Sequence, residues 1–303
     1  MSLSRRRFIS IAAGAGAAAL ALGGAGPARA RAGGGLRRWT GTAMGARAEM
    51  ILPAAAMDLL PRLRAEIDRL EDVFSLYRPD SALSRLNRDG DLDAPPLELV
   101  DVLGRARAVS TLTDGAFDVT VQPLWALRAR HLQAGTEPTP PEVAAARALV
   151  DWRGLRVDPA RITLARRGMA VTLNGIAQGY VTDRVADVLR GAGLEGVLVS
   201  LGETRALGPH PDGRPWTVAP GADAEPLPLR EGALAITEPA ASGGHVLDPA
   251  TGRAGGRLRR VTVQAPTATT ADALSTALAL VPAARRDAVA RAGGATAVWA
   301  LDV

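Results

Sequence analysis

The chain contains no cysteine and no lysine among its 303 residues, and only three histidines. Without cysteine there is no disulfide for an oxidising compartment and no thiolate metal site. There is also no lipobox cysteine, so a free mature protein is expected rather than a lipid-anchored one. With lysine absent, all 36 basic side chains are arginine, a pattern read as coding bias rather than nucleic-acid design. Gly-x-Ser-x-Gly and His-Glu-x-x-His are missing, which leaves no footing for serine-hydrolase or zinc-protease readings. There is no internal repeat, no low-complexity tract beyond the N-terminus and no apolar run long enough to span a membrane.

What is present begins with charge. Ser4-Arg5-Arg6-Arg7-Phe8-Ile9-Ser10 precedes a short apolar run, Ile11–Leu22, and then Ala28-Arg29-Ala30, which has the form of a signal-peptidase site. The paired arginines predict a twin-arginine (Tat) export signal over residues 1–30, a periplasmic location, and one domain over 31–303. Removing 1–30 takes away four Arg and no acid, so 32 Arg face 31 Asp and Glu. A net charge of about +1 excludes a basic nucleic-acid binder. Gly14-x-Gly16-x-x-Ala19 matches a dinucleotide fingerprint only by accident, because it lies in the signal core with no strand before it.

The rest of the chain is organised around Thr172–Asp183, Thr-Leu-Asn-Gly-Ile-Ala-Gln-Gly-Tyr-Val-Thr-Asp. Ala170, Val171 and Leu173 read as the end of a strand, and Val181, Val185, Val188 and Leu189 as the apolar face of a helix. The glycines between them, Gly175 and Gly179, bare the backbone where a helix dipole begins. That is a seat for phosphate or a cation-bridged diphosphate, or else a plain strand–helix connection. Upstream, Leu36–Leu52 reads as extended and interrupted at Gly41–Gly45. Met57–Phe74 and Leu97–Leu112 read as amphipathic helices, and Pro79-Asp80-Ser81 as the cap of a short helix. Ile162–Leu164 is expected to pair with Met169–Leu173, while Val197–Leu201, Trp216–Ala219, Leu234–Thr237 and Arg260–Gln264 are further strand candidates.

Four positions carry open alternatives. Phe117, in Asp114-Gly115-Ala116-Phe117-Asp118, is either a core residue beside a turn or part of a binding loop. His245, set among glycines, is either a loop histidine or a catalytic one. Thr269-x-x-Asp272 is a capping-box pattern, yet Asp272 and Thr276 stand four apart on one helix face. One carboxylate and one hydroxyl are too few for calcium but suit magnesium, which keeps waters and takes phosphate oxygens.

Five stretches, in order, resemble the ApbE-type FAD:protein FMN transferases: Thr42–Gly45, Phe74–Asn87, Gly115–Asp118, Leu173–Asp183, and His245–Gly252 with Thr269–Thr276. The resemblance implies an α+β fold, a mixed or antiparallel sheet flanked by helices with FAD in a cleft. It implies FAD contacts from Met44, Tyr77, Ala116, Phe117, Asp118, Thr172, Gln178, His245 and Val246, and Mg²⁺ held by Gly175, Asp272 and Thr276. The implied reaction moves FMN from FAD to a threonine of a partner protein, such as a membrane-bound redox subunit, releasing AMP. Asp272 or His245 would take the hydroxyl proton. The alternatives are a Mg²⁺-dependent FAD pyrophosphatase and a non-catalytic periplasmic FAD carrier. Gln178 and Thr172 depart from the family pattern, where Lys and Asp are usual. The segment between Ser242-Gly243 and His245 is also shorter than in many relatives.

Overall fold

A single Met44-Gly45 turn sets the first hairpin, and its second strand is the buried one. The computed structural model describes residues 35–221, 223–239 and 246–302, so residues 1–30, expected to be an export signal, and His245 lie outside the described residues. Strand β1 (Leu36–Ala43) pairs antiparallel with β2 (Ala46–Pro53). Met44 and Gly45 join them with φ of 50° and 76°, the two left-handed residues that a tight two-residue hairpin turn demands. The expected interruption at Gly41–Gly45 therefore shrinks to this turn, and β1 runs unbroken to Ala43.

Helix α1 (Leu60–Phe74) follows a short 3-10 segment and buries Leu63, Ile67, Leu70 and Phe74 at helical spacing. Helix α2 (Ala82–Asp89) starts where Ser81 accepts the Ser84 N–H at 3.0 Å and stops at left-handed Gly90. Helices α3 (Leu97–Thr113), α4 (Gln122–Ala134) and α5 (Pro140–Arg147) complete the first half. Strands β3 (Asp91–Asp93), β4 (Leu155–Val157) and β5 (Arg161–Leu164) form a small sheet of order β3-β5-β4.

The strand expected at Met169–Leu173 is irregular backbone instead, and β5 pairs with β3 and β4. The reason is local satisfaction. Asn87 Oδ1 accepts the Val171 N–H at 2.6 Å while Asn87 Nδ2 donates to the Val171 carbonyl at 2.8 Å, and Thr172 N–H donates to the Val119 carbonyl. A side-chain amide does what a neighbouring strand would do, so no ladder is needed.

Helix α6 (Ala177–Gly191) then leads to β6 (Val197–Ser200) and β7 (Thr204–Leu207). A side hairpin of β8 (Trp216–Val218) and β9 (Leu227–Leu229) precedes β10 (Gly232–Thr237). Strand β11 (Leu258–Ala265), helix α7 (Ala268–Leu280), helix α8 (Ala283–Ala292) and β12 (Ala297–Asp302) close the chain. The main sheet has seven strands in the order β1-β2-β6-β7-β10-β11-β12. Every neighbouring pair is antiparallel. The α+β expectation holds, and the sheet is antiparallel rather than mixed.

One face of this sheet carries two apolar clusters. The larger joins β1, β2 and β6 to α1, α2, α3 and α6, and the other seats α7 and α8 on β10 and β11. Truncating a fully buried leucine such as Leu63 or Leu70 to alanine costs about 2–5 kcal/mol. Helices α6 and α7 lie side by side between the clusters, and their close approach shapes the site. No helix of the described residues is long and apolar enough to cross a membrane.

Candidate active site

Gly179, in the first turn of α6, is where the two helices touch. A Cβ there would stand 2.3 Å from the Ala268 carbonyl oxygen and 2.8 Å from Asp272 Cβ, so only glycine fits. The same closeness lets Gly179 N–H donate to Asp272 Oδ2 at 2.9 Å. Asp272 is buried, and its Oδ1 accepts no hydrogen bond among the described residues.

The capping alternative for Asp272 is now decided. Thr267 is the N-cap of α7, and its hydroxyl accepts the Thr270 N–H. The N-terminal N–H groups of Ala268 and Thr269 are taken by Asp183 of α6, at 2.8 Å each. Asp183 also accepts the Thr269 hydroxyl and pairs with buried Arg205 of β7. Asp272 lies a turn further in, where no free backbone N–H needs it. Burial pushes its carboxyl up to about 7, opposed by the Gly179 N–H and reinforced by the negative charge of Asp183.

Thr276 stands one turn beyond Asp272, and both line a cleft of about 700 Å³. Gly175 closes in from the turn before α6. A Cβ on Gly175 would lie 3.0 Å from Thr276 Oγ1 and 3.3 Å from Phe117 Cε2, so its backbone sits against the hydroxyl with nothing between. The three expected metal residues, Gly175, Asp272 and Thr276, thus line one hollow. The set is all oxygen, and among the described residues no cluster of three His, Cys, Asp or Glu side chains could hold a metal. A hard cation that brings its own water and phosphate oxygens, such as Mg²⁺ or Mn²⁺, fits this cradle; a metal that seeks nitrogen or sulfur ligands does not.

The expected flavin residues divide between two hollows. Ala116, Phe117, Asp118, Thr172 and Val246 line the first with the oxygen trio. Asp118 is fully engaged there. Its Oδ1 accepts Thr120 N–H and Oγ1 at 2.7 Å, and its Oδ2 accepts Trp152 N–H at 3.0 Å. Burial still holds its carboxyl above the usual range. Thr172 spends its hydroxyl on the Asn174 N–H. Phe117 is both core and lining, so its two readings coexist.

Met44 and Tyr77 line the second, larger hollow of about 1330 Å³. Met44 holds its left-handed backbone by donating its N–H to Glu71 Oε1 at 2.7 Å, and Glu71 is itself paired with Arg78. Burial pushes the Tyr77 hydroxyl up. Gln178 and Asn174 line both hollows, so the two are neighbours with these amides between them.

A family model described as the ApbE family matches residues 44–299. The chain belongs to the ApbE family. It is 34% identical over 258 residues to the FAD:protein FMN transferase of Vibrio cholerae, a match covering 76% of each chain. With the enzyme of the same name from Haemophilus influenzae it shares 32% over 240 residues, 69% of each. Among solved structures, the apo form of the Pseudomonas stutzeri flavinyl transferase ApbE superposes with a TM-score of 0.78 at 29% identity, covering 88% of this chain and 91% of that one. The flavin transferase ApbE from Vibrio cholerae gives 0.75 at 28%, covering 88% and 97%.

Within this ApbE-family fold the cleft holds two residues that the sequence reading passed over. Asn174 was visible inside the glycine turn. Glu203 follows Gly202 at the end of an apolar strand, and it is buried in the cleft facing Asp272. An acid closing a buried strand was the signal available.

Proposed function

We propose that this chain transfers FMN from FAD to a threonine hydroxyl of a partner protein, with Mg²⁺, in the periplasm after Tat export. The observation that supports it most directly is that Gly175, Asp272 and Thr276 line one hollow, which shares Asn174 and Gln178 with the hollow lined by Met44 and Tyr77. Relatives across most of the chain are named FAD:protein FMN transferase.

The threonine oxygen bonds to the FMN-side phosphorus, the bond from that phosphorus to the bridging oxygen breaks, and AMP leaves with that oxygen. Mg²⁺, when bound, supplies positive charge against the diphosphate and the leaving phosphate. Gly175, Asp272 and Thr276 are the residues that would hold it. At the start of α6 the Ala177 N–H goes to the Leu173 carbonyl and the Gly179 N–H to Asp272, which leaves the Gln178 N–H at the positive end of the helix for a diphosphate oxygen. Phe117 and Val246 wall one end and exclude water, while Met44 and Tyr77 wall the other. Gln178 offers a neutral amide where family members often carry lysine, which places more of the charge burden on the cation. The hydroxyl proton passes to Asp272 or to His245, the latter outside the described residues.

Incubating the protein with FAD, Mg²⁺ and a threonine-bearing acceptor, then weighing the acceptor, tests this reading. A covalent FMN adduct with stoichiometric AMP is expected. Free FMN and AMP would instead identify a pyrophosphatase, and unchanged FAD a carrier.

A further inference from the structure

Among the described residues, Glu203 and Asp272 are buried carboxylates with no cationic partner and at most one backbone N–H each. Glu49 pairs with Arg38 at 3.0 Å, and Asp183 with Arg205 and the start of α7. Glu203 is only 3% exposed, and among the described residues it forms no ion pair. Its carboxylate receives the Ile236 backbone N–H and otherwise faces the cleft.

The turn between β6 and β7 puts it there. Gly202 has φ of 105°, and a Cβ on it would sit 2.5 Å from the Gln178 side-chain carbon, so the turn is pressed against α6. Thr182 of α6 donates its hydroxyl to the Glu203 carbonyl at 3.4 Å, fixing the backbone from the same side. Gln178 touches this turn as a neutral amide and brings Glu203 no charge.

We propose that Glu203 is a second anionic wall of the divalent-cation seat, sharing the charge of the ion with Asp272 across the cleft. The inference rests on the cation site of the flavin-transfer reading. Two buried carboxylates lining one cleft repel each other when both ionise, and a divalent ion between them neutralises both.

Mn²⁺ binding to the protein without FAD, followed by the loss of free-ion paramagnetic signal, provides the test. Glu203→Gln is expected to raise the Mn²⁺ dissociation constant about tenfold or more, with a metal-free Tm no lower than that of the parent. Asp272→Asn, titrated alongside, is expected to raise it further. Affinity within twofold of the parent for Glu203→Gln, with Asp272→Asn weakened, overturns the inference and leaves the cation site standing. Unaltered affinity in both variants removes the cation site as well. If Glu203→Gln does not fold, Glu203→Asp takes its place, since it keeps the charge but withdraws it by one methylene. Weaker Mn²⁺ binding is then expected, and parental affinity overturns the proposal.

Discussion

Asp272 shows how a residue with two sequence readings is separated by its neighbours. The pattern Thr269-x-x-Asp272 suits a capping box, but Thr267 and Asp183 already satisfy the start of α7. Asp272→Asn keeps shape and an acceptor for Gly179 N–H, so packing is expected to survive. FMN transfer is expected to fall at least about a hundredfold, which corresponds to ~2.7 kcal/mol of transition-state stabilisation. Extra Mg²⁺ is expected to restore part of the rate. The same residue sets a pH dependence. Its carboxyl titrates near 7 when folded and at the ordinary 3.8 when unfolded. Between those values the unfolded chain releases a proton that the folded chain retains, so metal-free stability falls as pH rises from about 4 to about 7, then levels off. Urea melts of the metal-free protein across that range are expected to slope less in Asp272→Asn, and equal slopes would refute the assignment. Glu203 escaped the sequence reading for a physical reason. Its significance lies in what it faces, Asp272 some 70 residues away in sequence, and no local pattern carries that.

At the scale of elements, α6 and α7 act as a unit, and glycine decides how closely they approach. Gly179→Ala places a methyl against the Ala268 carbonyl and Asp272 Cβ, neither of which is a flexible chain end. The helices must part, at a cost of roughly 1–3 kcal/mol for overpacking, and the oxygen trio opens with them. Gly191, at the far end of α6, would place its Cβ with nothing within 4 Å. Gly191→Ala is therefore expected to be neutral or to stabilise by up to ~1 kcal/mol. Thermal melts with and without Mg²⁺ compare the two. Equal Tm and equal Mg²⁺ response in both variants would show that the helix contact does not govern the site. Elements with strong periodicity, α1 and α6 among them, were legible in sequence. Helix α4 was not, because only Leu124, Leu127 and Ala129 are buried in it and no clean apolar stripe results. The segment at Val171 was misread as strand because its hydrogen-bond partner is the side chain of Asn87, 84 residues earlier.

On the scale of the whole molecule, the ordered motifs and the antiparallel sheet agree because the cleft is assembled from them. The Met44 turn, the Phe117 loop, the Gly175 turn and α7 each supply one wall, and the fold brings together stretches that are individually common. Under the proposed export, the N-terminal segment serves a task separate from the cleft. Removing residues 1–30 leaves 32 Arg against 31 acidic residues, and the absence of cysteine leaves nothing for an oxidising compartment to crosslink. The proposed Tat route would carry the chain across already folded. A strain expressing the full chain with Arg5→Lys and Arg6→Lys is thus expected to retain it, uncleaved, in the cytoplasm, while the parent is recovered from the periplasm lacking residues 1–30. Purified protein beginning at residue 31 is expected to transfer FMN as fast as the exported form, because every wall of the described cleft lies at or beyond Thr42. Fractionation with immunoblotting and N-terminal mass analysis read both outcomes. Periplasmic recovery of the double-lysine variant at the parental level would refute the twin-arginine route while leaving the flavin-transfer reading untouched. Loss of transfer in the shortened chain would place part of the machinery before Arg31.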